Sequence, residues 1–105
     1  MSIEDRRLQL HEELCTILGS RNVYFQPPGS LRMSYPCIRY QRDRGQHVYA
    51  DNKTYIYNQA YQLIYIDPSA DNDVVEKLIE HFPKINFNRS YTADNLNHDV
   101  LILYY

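Results

Sequence analysis

Arg39, Arg42, Arg44, His47 and Tyr49 form the densest group of chemistry-bearing side chains in the chain. Guanidinium groups interleaved with aromatic rings suit a phosphate backbone and stacked bases. Asp43 and Asp51 interrupt that charge, and a contact between protein subunits calls for the same residue types. The five are therefore candidate interface residues first, and candidate nucleic-acid contacts second. Catalytic signals are weaker still. His11 and Cys15 stand four residues apart, a spacing that sets two ligands on one helical face, but no third ligand is marked nearby. A surface histidine beside a core cysteine is the expected reading. His98 and Asp99 are adjacent in an apolar run, so on a strand they point to opposite faces and cannot act as a pair. Asp43, Asp51 and Asp67 fall in loops or at strand ends, where carboxylates are solvated or cap turns. The three glycines are isolated at turns, which leaves no phosphate-cradling loop, and there is no nucleophile elbow. No catalytic, cofactor-binding or metal-binding residue is expected.

The elements that must position these residues follow from periodicity. Ser2 and Asp5 resemble a capping box, Ile3, Leu10, Leu14, Ile17 and Leu18 share a helical face, and Gly19 supplies a left-handed stop. NVYF at 22–25 and YPCIRY at 35–40 read as short strands, separated by QPPGS, in which Gln26, Pro27 and Pro28 should be extended. Residues 41–53 look like a charged excursion, mobile in a free subunit and ordered between neighbours. TYIYNQAYQLIYID at 54–67 reads as one long strand, apolar on both faces and hence central and covered twice. Pro68 ends it. Ser69, Asp71 and Asn72 offer caps to a second helix carrying Val74, Val75, Leu78, Ile79 and Phe82, and Pro83 stops that helix. INFNRSYT at 85–92 alternates, and DVLILYY at 99–105 is almost wholly apolar. Joined by the polar run ADNLNH, they predict a terminal β-hairpin.

This order, helix, strands, helix, hairpin, predicts an α+β domain with two helices packed on a mainly antiparallel sheet. With 105 residues the chain has the length of one domain, 1–105. A net charge of -2, with acids and bases interspersed, excludes the basic field of non-specific nucleic-acid binding. The charged amphipathic start is unlike a signal peptide and no apolar run reaches membrane-spanning length, which predicts a protein made and kept in a cytoplasm. Cys15 and Cys37 fall in apolar patterns and are expected as buried free thiols. Eleven tyrosines with no tryptophan favour strands and wet interfaces.

The element order, together with the phrases YQLIYIDPSADNDVVEKL and YTADNLNHDVLILYY, resembles the tail-terminator (tail-completion) proteins of long-tailed bacteriophages. The resemblance extends to small proteins encoded among head–tail connector genes of phages and prophages of Gram-positive bacteria, and it spans nearly the whole chain. It implies a structural virion protein, assembled in the bacterial host cytoplasm and located at the head–tail junction. Such a protein forms a ring, commonly a hexamer, on the last ring of tail-tube protein and presents a surface to the head-completion or connector protein. Genomic DNA passes through the lumen without sequence-specific binding. No cofactor or membrane is implied. Two alternatives stand beside it: a head-closure or adaptor protein attached on the portal side, and a small nucleic-acid-binding regulator using Arg39, Arg42 and Arg44.

Overall fold

A computed structural model describes residues 2–43 and 59–105 in full, and the strand backbone at 48–49 and 55–56. The first helix, α1, is Ile3–Leu18. The Ser2 hydroxyl accepts a hydrogen bond from Asp5 N and the Asp5 carboxylate accepts one from Ser2 N, so the capping box is complete. Gly19 ends the helix at φ +83°, a conformation that costs glycine no steric clash.

Strand β1 (Val23–Phe25) leads through residues 26–36 to β2 (Cys37–Arg42). The two strands run parallel, with Tyr24 opposite Arg39. Gln26 is not extended as its position before proline suggests: it adopts φ +44°. Its N–H donates to Tyr40 O at 2.8 Å and its side-chain oxygen accepts from Arg42 N at 3.2 Å, two bonds that fix the chain's departure from β1. Of the excursion at 41–53, β2 takes the first two residues and β3 (Val48–Tyr49) pairs antiparallel with β4 (Tyr55–Ile56). Asp43 donates its N–H to Ala60 O at 2.8 Å; the rest of the excursion lies outside the described residues, and with it the expectation that it orders between neighbours.

The single long strand expected over 54–67 is instead divided. Tyr55–Ile56 belongs to the small β3–β4 ladder, and β5 is Ala60–Asp67. Helix α2 (Val74–His81) follows, with Asn72 Oδ1 accepting from Val74 N at 3.2 Å. It stops at Phe82, whose N–H still donates to Leu78 O, one residue before Pro83. Strands β6 (Ile85–Ala93) and β7 (Leu96–Tyr104) complete the fold. Their connection is tighter than the polar run implies. Asp94 and Asn95 alone make the turn, at φ +54° and +61°, the pair of left-handed residues that a two-residue type I′ hairpin requires.

The main sheet runs β1-β2-β5-β7-β6. It is mixed: the β1–β2 pair is parallel and the other three pairings are antiparallel. The last strand in sequence, β7, lies between β5 and β6, so β5 is central as expected. Both helices lie on one side. Leu10 and Leu14 of α1 and Val74 and Leu78 of α2 share a buried core with Ile38, Tyr40, Tyr61, Leu63, Tyr65, Leu101 and Leu103. Each fully buried Leu of this set contributes about 1.5–3 kcal/mol. Cys15 and Cys37 are both buried and free. Among the described residues, no helix is long and apolar enough to cross a membrane.

Candidate interface

Alternation along the strands assigns every residue of the sheet to one of two sides. The side away from the helices is organised by register into rows. One row crosses all five strands: Tyr24 opposite Arg39, Arg39 opposite Ile64, Ile64 opposite Val100, and Val100 opposite Arg89. At about 4.8 Å per strand the two guanidinium-bearing positions are separated by about 14 Å of aliphatic surface. A flanking row holds Cys37, Ile66, His98 and Tyr91, and the row on the other flank holds Gln41, Gln62, Ile102 and Asn86. Gln41 donates to Gln62 at 3.3 Å across β2 and β5.

The middle of this surface is apolar and its rim cationic and aromatic. Val100 and Ile66 are buried, whereas Ile64 and Ile102 are only half-buried. Tyr91 stacks on His98 with centroids 4.6 Å apart and planes at 12°, and the Arg89 guanidinium lies 5.1 Å from the Tyr91 centroid. The connection 26–36 comes to the same side, because the Tyr24 hydroxyl accepts a hydrogen bond from Ser34 N at 3.1 Å. It brings exposed Leu31, Arg32 and Tyr35. Burial pushes the Cys37 thiol up to about 11, so it stays a neutral, unreactive thiol beneath this surface.

The side facing the helices holds polar groups that tie elements together. Tyr65 donates its hydroxyl to the buried Asp67 carboxylate, whose other oxygen accepts from Ser69 N at 2.7 Å. Asp67 is thus an internal turn anchor and not a solvated loop carboxylate. Burial, and next the Asp67 charge, raise the pKa of Asp99. Glu13 of α1 joins α2 and the residue after β7: it pairs with His81 Nε2 at 2.8 Å and accepts from the Tyr105 hydroxyl. Burial and that bond push Tyr105 up to about 12.

The residues singled out in the sequence separate. Arg39 is half-buried in the central row of the helix-free side. Arg42, three positions on, belongs to the opposite side of β2 and is exposed, as odd spacing on a strand dictates. Arg44 and His47 lie outside the described residues, and for Tyr49 only its place in β3, opposite Tyr55, is described. His11 sits within 2.8 Å of the Tyr40 hydroxyl and its imidazole is held below its ordinary pKa by burial, helped by Arg21 and Arg7. It is a neutral partner in the core's edge. No cluster of three metal-ligating side chains occurs among the described residues. His98 and Asp99 point to opposite sides of β7, as expected.

Sequence reasoning did not place Arg89, Tyr91 or His98 on a surface with Arg39, since they share its side only through strand order. Their period-two spacing was visible, but not which strand β6 and β7 would join. With the geometry described, comparison with known proteins adds nothing further: no protein-family model, curated protein or solved structure matches the chain.

Proposed function

We propose that the protein is a tail terminator of long-tailed bacteriophages: a structural subunit that forms a ring on the tail tube, stops its growth and offers a docking face to the head connector. The observation that carries this reading is the helix-free side of the sheet, where Ile64 and Ile102 are half-buried and the connection bearing exposed Leu31 and Tyr35 is tied to the edge at Tyr24. A sheet side with an aliphatic middle and a polar rim has the anatomy of a protein–protein interface. Its centre is too apolar to be an ordinary solvated surface. The order of elements and the two phrases similar to tail-completion proteins supply the biological setting. The role demands two docking faces and a subunit contact, and no catalytic constellation. On this reading the protein resides in the virion at the head–tail junction, its partners are further copies of itself, the tail-tube protein and a head-completion protein, and DNA passes by without sequence-specific contact.

Electron microscopy of tail tubes assembled with and without the purified protein tests the proposal. Tubes of defined length ending in an added ring are expected. Tubes that grow unchecked in its presence, or a protein that attaches to filled heads and never to tubes, would overturn it.

A further inference from the structure

The two surfaces of the subunit are of opposite character, and that polarity identifies a partner. On the helix-free side the charged side chains are Arg32 of the connection 26–36, Arg39 and Arg89. The strand carboxylates Asp67 and Asp99 fall on the helix side by alternation, and Asp43 stands just past the end of β2. On α2, Val74 and Leu78 face the core while Glu76, Ile79 and Glu80, at helical spacings of one and three, share the outward surface and are all exposed. On α1 the outward surface presents exposed Leu8 and Glu12, the latter bridged to exposed Arg21 at 2.5 Å. Leu8 and Ile79 are 48% and 43% exposed, high for large aliphatic side chains. One side is therefore cationic around an aliphatic middle; on the other, the cations Lys77 and Arg21 pair with Asp73 and Glu12, and Glu76 and Glu80 stand around protruding Ile79.

We infer that the helix layer of one subunit docks on the helix-free sheet surface of the next, with Ile79 and Leu8 covering Ile64 and Ile102 while Glu76 and Glu80 meet Arg32, Arg39 and Arg89. The partner of each surface is a second copy of this chain. A nucleic acid would also seek the arginines, but the middle of the surface is aliphatic. The one exposed ring in the rows, Tyr91, is already engaged by His98 and Arg89. Because the two surfaces differ, the contact is heterologous: it repeats from copy to copy and ends only if the turn per contact closes a ring. The inference rests on the ring reading for its biological setting, while the contact itself is testable on the isolated protein.

The experiment is sedimentation of the purified chain over a range of concentration and salt, with two charge-reversed variants confined to exposed side chains. One is E76K/E80K and the other R32E/R89E, each checked by thermal melt for an intact fold. Wild type is expected to self-associate, more weakly as salt rises. Each variant alone should associate more than about tenfold more weakly, since like charges then face each other. An equimolar mixture should recover association, because each reversed surface again meets its opposite. Variants that associate as wild type does, or a mixture without recovery, would overturn the contact. So would an R32E/R89E protein that sediments normally yet loses retention of DNA in a gel shift, which would assign the surface to nucleic acid. Two further outcomes separate the contact from the ring. An open series growing with concentration supports the contact and counts against the ring; variants that still cap tail tubes as rings overturn the contact and leave the ring standing.

Discussion

Strand β5 is one stretch of chain with two environments. Toward the helices, Tyr61, Leu63 and Tyr65 are fully buried; toward the other side, Gln62 and Ile64 remain half-buried though their neighbours are similarly apolar. The same holds in β7, where Leu101 and Leu103 join the common core while Ile102 and Tyr104 do not. The helix-covered side supplies most of the subunit's own core, whereas the other side buries Cys37, Ala60, Ile66 and Val100 and leaves Ile64 and Ile102 half open, the surface proposed above for contact. Alternation keeps the two functions apart residue by residue, so substitutions one position apart should separate them.

The strongest test of the contrast is removal of residues 103–105. This deletes buried Leu103, and with it the bonds from Tyr104 N to Lys84 O and between Tyr105 and Gln59. A loss of this kind approaches the whole stability of a domain, typically about 5–15 kcal/mol, and the truncated chain is expected to be unfolded or insoluble. A truncated protein melting within a few degrees of the parent would show that the helix side does not depend on β7. Next in size is the pair Leu101→Ala and Ile102→Ala. The first should cost about 2–5 kcal/mol in urea unfolding and the second under about 1 kcal/mol at concentrations where the protein is a monomer. Equal costs would abolish the distinction between the two sides.

The smallest expected effect concerns Asp99, which burial and the neighbouring Asp67 hold above its ordinary pKa. A carboxyl raised in the folded state binds protons more readily there than in the unfolded chain, so its ionised form costs stability and that cost disappears as pH falls through the raised pKa. Asp99→Asn should therefore melt slightly higher than wild type at pH 7, with the gain fading in acid. A gain that persists unchanged at low pH would point to packing and not to charge.

Much of this architecture is readable from local pattern. The Ser2–Asp5 box and Gly19 stand where their residues imply; α2 and the terminal hairpin do so too, except that Ile79 points outward and the hairpin turn shrinks to Asp94-Asn95. What sequence does not carry is partnership. Tyrosines and aliphatic residues run through 54–67 with only the polar pair Asn58-Gln59 between them, a weak mark of the division that pairing of Tyr55–Ile56 with β3 makes plain. The parallel β1–β2 pairing depends on Gln26 adopting a left-handed turn before proline, against its usual preference. The candidate interface was half legible for the same reason. Clustered arginines were visible in 39–44, but Arg39 and Arg42 diverge by strand parity, and the residues that share Arg39's row, Tyr24, Ile64, Val100 and Arg89, are contributed by four other strands.

Strand order also bears on synthesis. Since β7 is made after β5 and β6 yet lies between them, a nascent chain cannot close its sheet as it leaves the ribosome. Until Leu96–Tyr104 has been made, β5 and β6 both lack the strand that pairs with them in the finished sheet. The sheet is thus completed late, and the interval before it is when the edge of β5 is most open to pairing with the wrong strand or with another copy of the chain.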